Sequence, residues 1–190
     1  METKEHNTNQ EPGANQQKAM ESVPPQRKTV WSAREKIVRL LWGTVGRAIW
    51  ICCPWFRSSL LRLFGATVGR GCKFASSAEI TIPWNLNMGD SCHVSDYVIL
   101  YNLGTITIGN RVRIDTRAHL CAGTHDMRDT TFPLMRPPIS IGDDSFIGVD
   151  AYIAPDVSLG ANTIVHHRAS VYRNFEGNVE LLGNPARITE

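Results

Sequence analysis

The 190-residue sequence has no large excess of either charge: 20 Lys and Arg stand against 18 Asp and Glu, a net charge of +2. With a pI near 8.3 and no basic stripe interleaved with aromatics from residue 68 onward, nucleic acid is not an expected partner. The chain has no C-x-x-C pair, and its five cysteines (Cys52, Cys53, Cys72, Cys92, Cys121) are an odd number. Both features speak against a disulfide framework and for a reducing, cytoplasmic setting. The N-terminus lacks a charged start followed by an apolar run, so no secretory signal is expected. Arginines interrupt the most apolar stretch, within residues 31–64, which argues against a membrane span. Residues 1–30 have no aromatic side chain and carry four acidic and four basic ones. So little apolar surface cannot offset the entropy of ordering, and a disordered tail is expected there.

What the chain does have is a period of six. Ile141, Ile147, Ile153, Leu159, Val165 and Val171 recur at that spacing, and Ser145, Ala151, Val157, Thr163 and Ala169 follow four residues after the first five. No α-helix repeats every six residues, and a plain strand repeats every two. A six-residue unit made of a short strand and one sharp corner accounts for the pattern. The same spacing runs through Val68-Phe74-Ile80, Met88-Val94-Leu100 and Ile108-Ile114-Leu120, each set opening on an apolar-Gly pair. Three hexads make one turn of a triangular prism whose coils stack as parallel strands. Roughly five coils at about 4.8 Å give a height on the order of 24 Å. Cys72 and Cys92 fall on small inward positions, where packing is their expected duty.

Residues 31–64 read differently. Four of the five tryptophans lie here (Trp31, Trp42, Trp50, Trp55), with six Lys/Arg against one Glu. At helical spacing Lys36, Arg39, Gly43, Gly46 and Arg47 form one narrow polar stripe and apolar residues cover the rest, until Pro54 ends or kinks the helix. Two readings stand side by side. In one, the helix packs across the open end of the prism; in the other, it lies on the inner membrane with Trp and Arg at headgroup level.

Between Leu120 and Ile141 the repeat is suspended. A further coil is due near residue 128 but begins at 141, an excursion of thirteen residues holding three prolines. Long excursions from a rigid scaffold tend to carry function. His125 stands at the root of this one, where a neutral imidazole is a base suited to neutral pH or simply a solvent-facing corner residue.

The motifs LLRLFGATVG, YNLGTITIGN, LCAGTHDMRDTTFPLMRPPISIGD and GNPARI resemble the hexapeptide-repeat O-acetyltransferases, most closely those of colanic-acid and exopolysaccharide biosynthesis. The resemblance spans roughly residues 60–188. It implies an all-β repeat fold, a left-handed parallel β-helix with an N-terminal helical segment. It divides the chain into a tail (1–30), a helical segment (31–64) and the β-helix domain (65–190) with its excursion at 121–140. It further implies acetyl-CoA as acyl donor, no metal, and a sugar or lipid-linked oligosaccharide as acceptor. The expected assembly is a homotrimer whose donor cleft lies between neighbouring prisms, in the cytoplasm or peripheral on the inner membrane face.

By the same resemblance His125 is the general base, Asn102 orients an acceptor hydroxyl, and Asp126 orients the histidine. Gly148, His167, Tyr172, Arg173 and Arg187 are implied donor contacts. One departure from the family pattern is the bulky His166-His167-Arg168 where small residues are usual; it would narrow the donor channel or add donors to the pyrophosphate.

Two other classes remain open. A non-catalytic scaffold of a polysaccharide-synthesis complex would suit that departure and the Trp-rich helix. A zinc lyase on the same prism would draw on His93, His119, His125, His166 and His167, although His119 and His125 are six apart and the γ-carbonic anhydrases place their close pair five apart.

Overall fold

Each hexad forms a strand of two or three residues and a corner, and the coils stack in register. The computed structural model describes residues 31–189; the expected tail, 1–30, lies outside them. On the first face, Val68 pairs in line with Met88, Ile108, Ile141 and Leu159. On the second, Phe74 lines up with Val94, Ile114, Ile147, Val165 and Leu181. On the third, Ile80 lines up with Leu100, Leu120, Ile153 and Val171. All of these pairings are parallel, and all of these side chains are buried inside the prism. Apart from Leu181, they are the apolar residues that the period of six marks as inward. Cys92 is buried at its inward corner and Cys72 half-buried, and each thiol donates at 3.0 Å to a glycine carbonyl of the next coil, Cys92 to Gly109 and Cys72 to Gly89.

The apolar-Gly pairs have a steric cause. A Cβ on Gly109 would come within 2.6 Å of the Asp143 backbone nitrogen in the next coil, closer than two stacked coils allow. At other corners the chain turns in the left-handed region without glycine: Arg111, Arg117, Asp144 and Asp150 have φ between 56° and 59°. These two Arg–Asp pairs meet across coils, with Arg111 bidentate on Asp144 and Arg117 bidentate on Asp150. At the far end Arg187–Ile188 folds back antiparallel on Glu180–Leu182, so the last strand of that face is not left open on one side.

The near end is closed by helices: α1 (Ala33–Leu41), a π-helical turn (Trp42–Gly46), α2 (Arg47–Cys52) and, after the Pro54 break, α3 (Arg57–Leu63). Ser32 and Glu35 form a capping box at the start of α1. In every later coil the strand carbonyls accept from the coil before. The first coil has none before it, and side chains of the helical segment take that place. Arg62 donates to the carbonyls of Val68 and Gly69, Ser58 to Cys72, Arg57 to Phe74, Trp50 to Ser76, Arg47 to Ala78 and Trp42 to Ile80. The donors run in the reverse order of the acceptors, as an antiparallel lid must. The indoles also pack: Trp42 and Trp50 are buried and meet each other, Phe64 and Phe74 edge to face.

Candidate active site

The chain leaves the third face after the strand His119–Cys121 and returns at Ile139–Ile141. Between them it forms a hairpin, Thr124–His125 antiparallel to Leu134–Met135. The turn at its tip is built from local hydrogen bonds. Asp126 accepts the Arg128 N–H, Asp129 accepts both the N–H and the hydroxyl of Thr131, and the Phe132 N–H reaches the Asp129 carbonyl. Those bonds to Thr131 hold the Asp129 carboxyl below the usual carboxylate range. On the return strand Arg136 lies over the Trp31 ring at 3.9 Å, and Arg39 covers the same indole at 4.4 Å. The hairpin is thereby anchored to the start of the helical segment.

Phe132 has φ of 45°, an uncommon and strained conformation for a bulky residue. It aims the Phe132 carbonyl at His125, whose Nδ1 lies 2.8 Å from that oxygen. A carbonyl can only accept, so Nδ1 carries a proton, and in the neutral ring the lone pair lies on Nε2. The ring is exposed, so Nε2 is open to an incoming group.

Other expected residues take different places. Asn102 is fully buried: its amide oxygen accepts the Ile82 N–H at 2.9 Å and its nitrogen donates to the Ile82 carbonyl at 2.5 Å. It secures a turn between coils and has no surface to offer an acceptor, contrary to the expected role. Asp126 spends its carboxylate on Arg128, and the group that orients His125 is the Phe132 carbonyl instead. Gly148 is buried with its N–H on Val165 and its carbonyl on Ala151, and a Cβ there would meet the His167 nitrogen at 2.8 Å. It allows coils to approach and does not face a donor.

Tyr172 and Arg173 follow the strand Ser170–Val171 and share the edge of the prism from which the hairpin springs. Both are exposed, with Arg173 stacked over Phe175. Arg187 is exposed on the terminal antiparallel strand. The His166-His167-Arg168 trio occupies the opposite corner of the third face. His166 meets Glu180 at 2.9 Å, His167 Nδ1 accepts the Val149 N–H at 2.9 Å, and Arg168 reaches Asp150 at 3.7 Å. The trio is folded onto its own coils, away from His125. Among the described residues no three His, Cys, Asp or Glu side chains converge as a metal site.

One feature of the site escapes the sequence pattern. An aromatic column runs up the outside of the third face: Tyr101 to His119 at 6.4 Å, His119 to Tyr152 at 5.5 Å, and Tyr152 to Tyr172 at 5.8 Å. Tyr101 lies against Gly123 at the hairpin root, where a Cβ would come within 3.0 Å of its ring. Burial lowers the His119 pKa, and burial together with the neighbouring Cys121 pushes Tyr152 up to about 12. The signal was available as outward positions that share one register, but exposed aromatics on a solenoid look like ordinary surface until they stack.

Residues 138–173 match the bacterial transferase hexapeptide family (six repeats). The chain is 40% identical over 152 residues to the putative colanic acid biosynthesis acetyltransferase of Escherichia coli K12, covering 78% of this chain and 84% of that one. It is 26% identical over 158 residues to the galactoside O-acetyltransferase of the same organism, covering 82% and 66%. A hexapeptide-repeat acetyltransferase from Vibrio cholerae, solved in complex with acetyl-CoA, superposes with a TM-score of 0.77 at 22% identity, covering 84% of this chain and 89% of that one. The fold is that of these left-handed β-helices.

Proposed function

The chain belongs to the hexapeptide-repeat acetyltransferases, and from that premise we propose that it transfers an acetyl group from acetyl-CoA to a sugar hydroxyl, with His125 as general base. The observation that carries this reading is the His125–Phe132 hydrogen bond, which selects the tautomer whose lone pair is on Nε2, on an exposed ring. In the reaction Nε2 takes the proton of the acceptor hydroxyl while its oxygen attacks the thioester carbonyl carbon. The tetrahedral oxyanion collapses, the C–S bond breaks, and the coenzyme A thiolate leaves with the proton returned by the imidazolium. A sugar acceptor fits the relatives, one an acetyltransferase of colanic acid biosynthesis and one acting on galactosides. Acetyl-CoA as donor fits the complex of the Vibrio cholerae protein.

The donor lies along the third face in this reading. Its phosphates face Arg173, whose guanidinium group suits such anions, while Arg187 stands on the terminal strand of the second face. Its pantetheine arm runs over the Tyr152–Tyr172 end of the aromatic column. His167, its Nδ1 already occupied, keeps only Nε2 for a donor contact. Met127, Phe132 and Met135 of the hairpin are exposed, Met127 at 80%, and a neighbouring prism in a homotrimer would cover them and complete the cleft. Incubation with acetyl-CoA and a panel of free and lipid-linked sugars, read by mass spectrometry, tests the assignment. A gain of one acetyl group on a sugar is expected. Acetyl-CoA left intact with every acceptor, by a protein shown to bind it, would favour a scaffold instead.

A further inference from the structure

The helical segment has two faces, and the fold uses only one. Arg39, Gly46 and Arg47, three of the five residues of the polar stripe that could have met lipid headgroups, are turned inward: Arg39 onto Trp31, Gly46 buried, Arg47 onto the Ala78 carbonyl. The outward face carries an apolar ridge instead. Ile37, Leu40, Leu41, Val45, Ile51 and Trp55 are all exposed, Leu40 at 66% and Trp55 at 81%. A continuous patch of that kind on an aqueous surface marks a contact.

Three observations select the occupant. Of the six Lys/Arg in residues 31–64, four are turned inward onto Trp31 or prism carbonyls. Glu35 is spent in the capping box, while Arg34 and Lys36 stand exposed beside the start of the ridge. Next, Ala33–Cys52 and Pro54–Leu63 meet at 120°, and no single helix among the described residues is long and apolar enough to cross a membrane. Trp55 sits at that bend, where an indole can rest at headgroup depth. Finally, an open groove lined by Val38, Leu41, Leu63, Phe64 and Trp84 runs beside the ridge, with Arg34 and the capping Glu35 also in its wall, an apolar trough of the kind an acyl chain fills.

We propose that the outer face of the helical cap docks on an anionic phospholipid bilayer, lying in its interface while the inner face closes the prism. The two readings open from the sequence are thus faces of one element. The docking does not rest on the acetyl-transfer reaction.

The test is co-sedimentation of the full-length chain with phosphatidylcholine vesicles, with and without phosphatidylglycerol, while Trp emission is followed. Wild type should bind the anionic vesicles about tenfold more tightly than the neutral ones, with a blue shift from Trp55. Leu40→Glu combined with Trp55→Glu should lose that advantage while melting at the wild-type temperature. Ile37→Gln with Ile51→Gln provides an independent pair should the first fold poorly. Equal binding to both vesicle types, binding to neither, or ridge variants that sediment like wild type would each overturn the proposal. So would ridge variants that lower the mass of the assembly in solution, which would assign the ridge to a second copy of this chain.

Discussion

At His125 structure and chemistry fall on different nitrogens: Nδ1 is fixed by the Phe132 carbonyl and Nε2 is left free. That carbonyl is held in place by a turn whose own bonds run through Asp129 and Thr131. Asp129→Ala should therefore slow turnover several-fold, through a looser imidazole, with little change in acceptor KM. In a variant already lacking the His125 imidazole it should cost nothing further, and steady-state kinetics of the single and double variants check this non-additivity.

His119 gives a second prediction. Burial holds its folded-state pKa below the ordinary 6.5, so the unfolded chain takes up the proton first as pH falls. Stability contributed by the neutral ring is present above that value and declines below it. His119→Phe should flatten the loss of stability as pH falls below the ordinary histidine range in denaturant titrations. At this scale the sequence was only partly legible. The histidine could be placed by spacing, but its partner is a main-chain carbonyl, which leaves no signature in side-chain identities. Asn102 was misread because an amide that binds substrate and one that binds a turn have the same letter; only its burial distinguishes them.

Among the elements, the cap shows how an open solenoid end is closed without another coil. Each indole or guanidinium takes the place of a missing backbone N–H, and removing one leaves a carbonyl, buried at Ile80 and part-buried at Ser76, without that partner. Trp50→Phe keeps most of the packing against Phe74 and loses the bond to Ser76. It should destabilise by about 1–3 kcal/mol, lowering the midpoint of thermal unfolding by roughly 2–12 °C. The strands themselves were legible almost residue by residue, since a period of six with one inward aliphatic per hexad admits few foldings. The helices were legible as helices, but their orientation was not. A segment amphipathic enough to face a prism or a membrane gives no hint that its cations turn inward to carbonyls whose unpaired state exists only once the prism has formed.

Across the whole molecule, the prism is a ruler that holds distant residues at fixed heights. Tyr101, His119, Tyr152 and Tyr172 form one column only because the coils keep register through the excursion, where Ile108 still pairs with Ile141. The same rigidity keeps the His166-His167-Arg168 corner apart from the hairpin edge. The most direct test of the account is the turnover of His125→Asn with acetyl-CoA and an acceptor sugar. The asparagine amide can still donate to the Phe132 carbonyl, so hairpin and stability should be retained while the base is gone. Turnover is predicted to fall about 10²–10⁴-fold at an unchanged melting temperature; a variant that keeps wild-type turnover would contradict it.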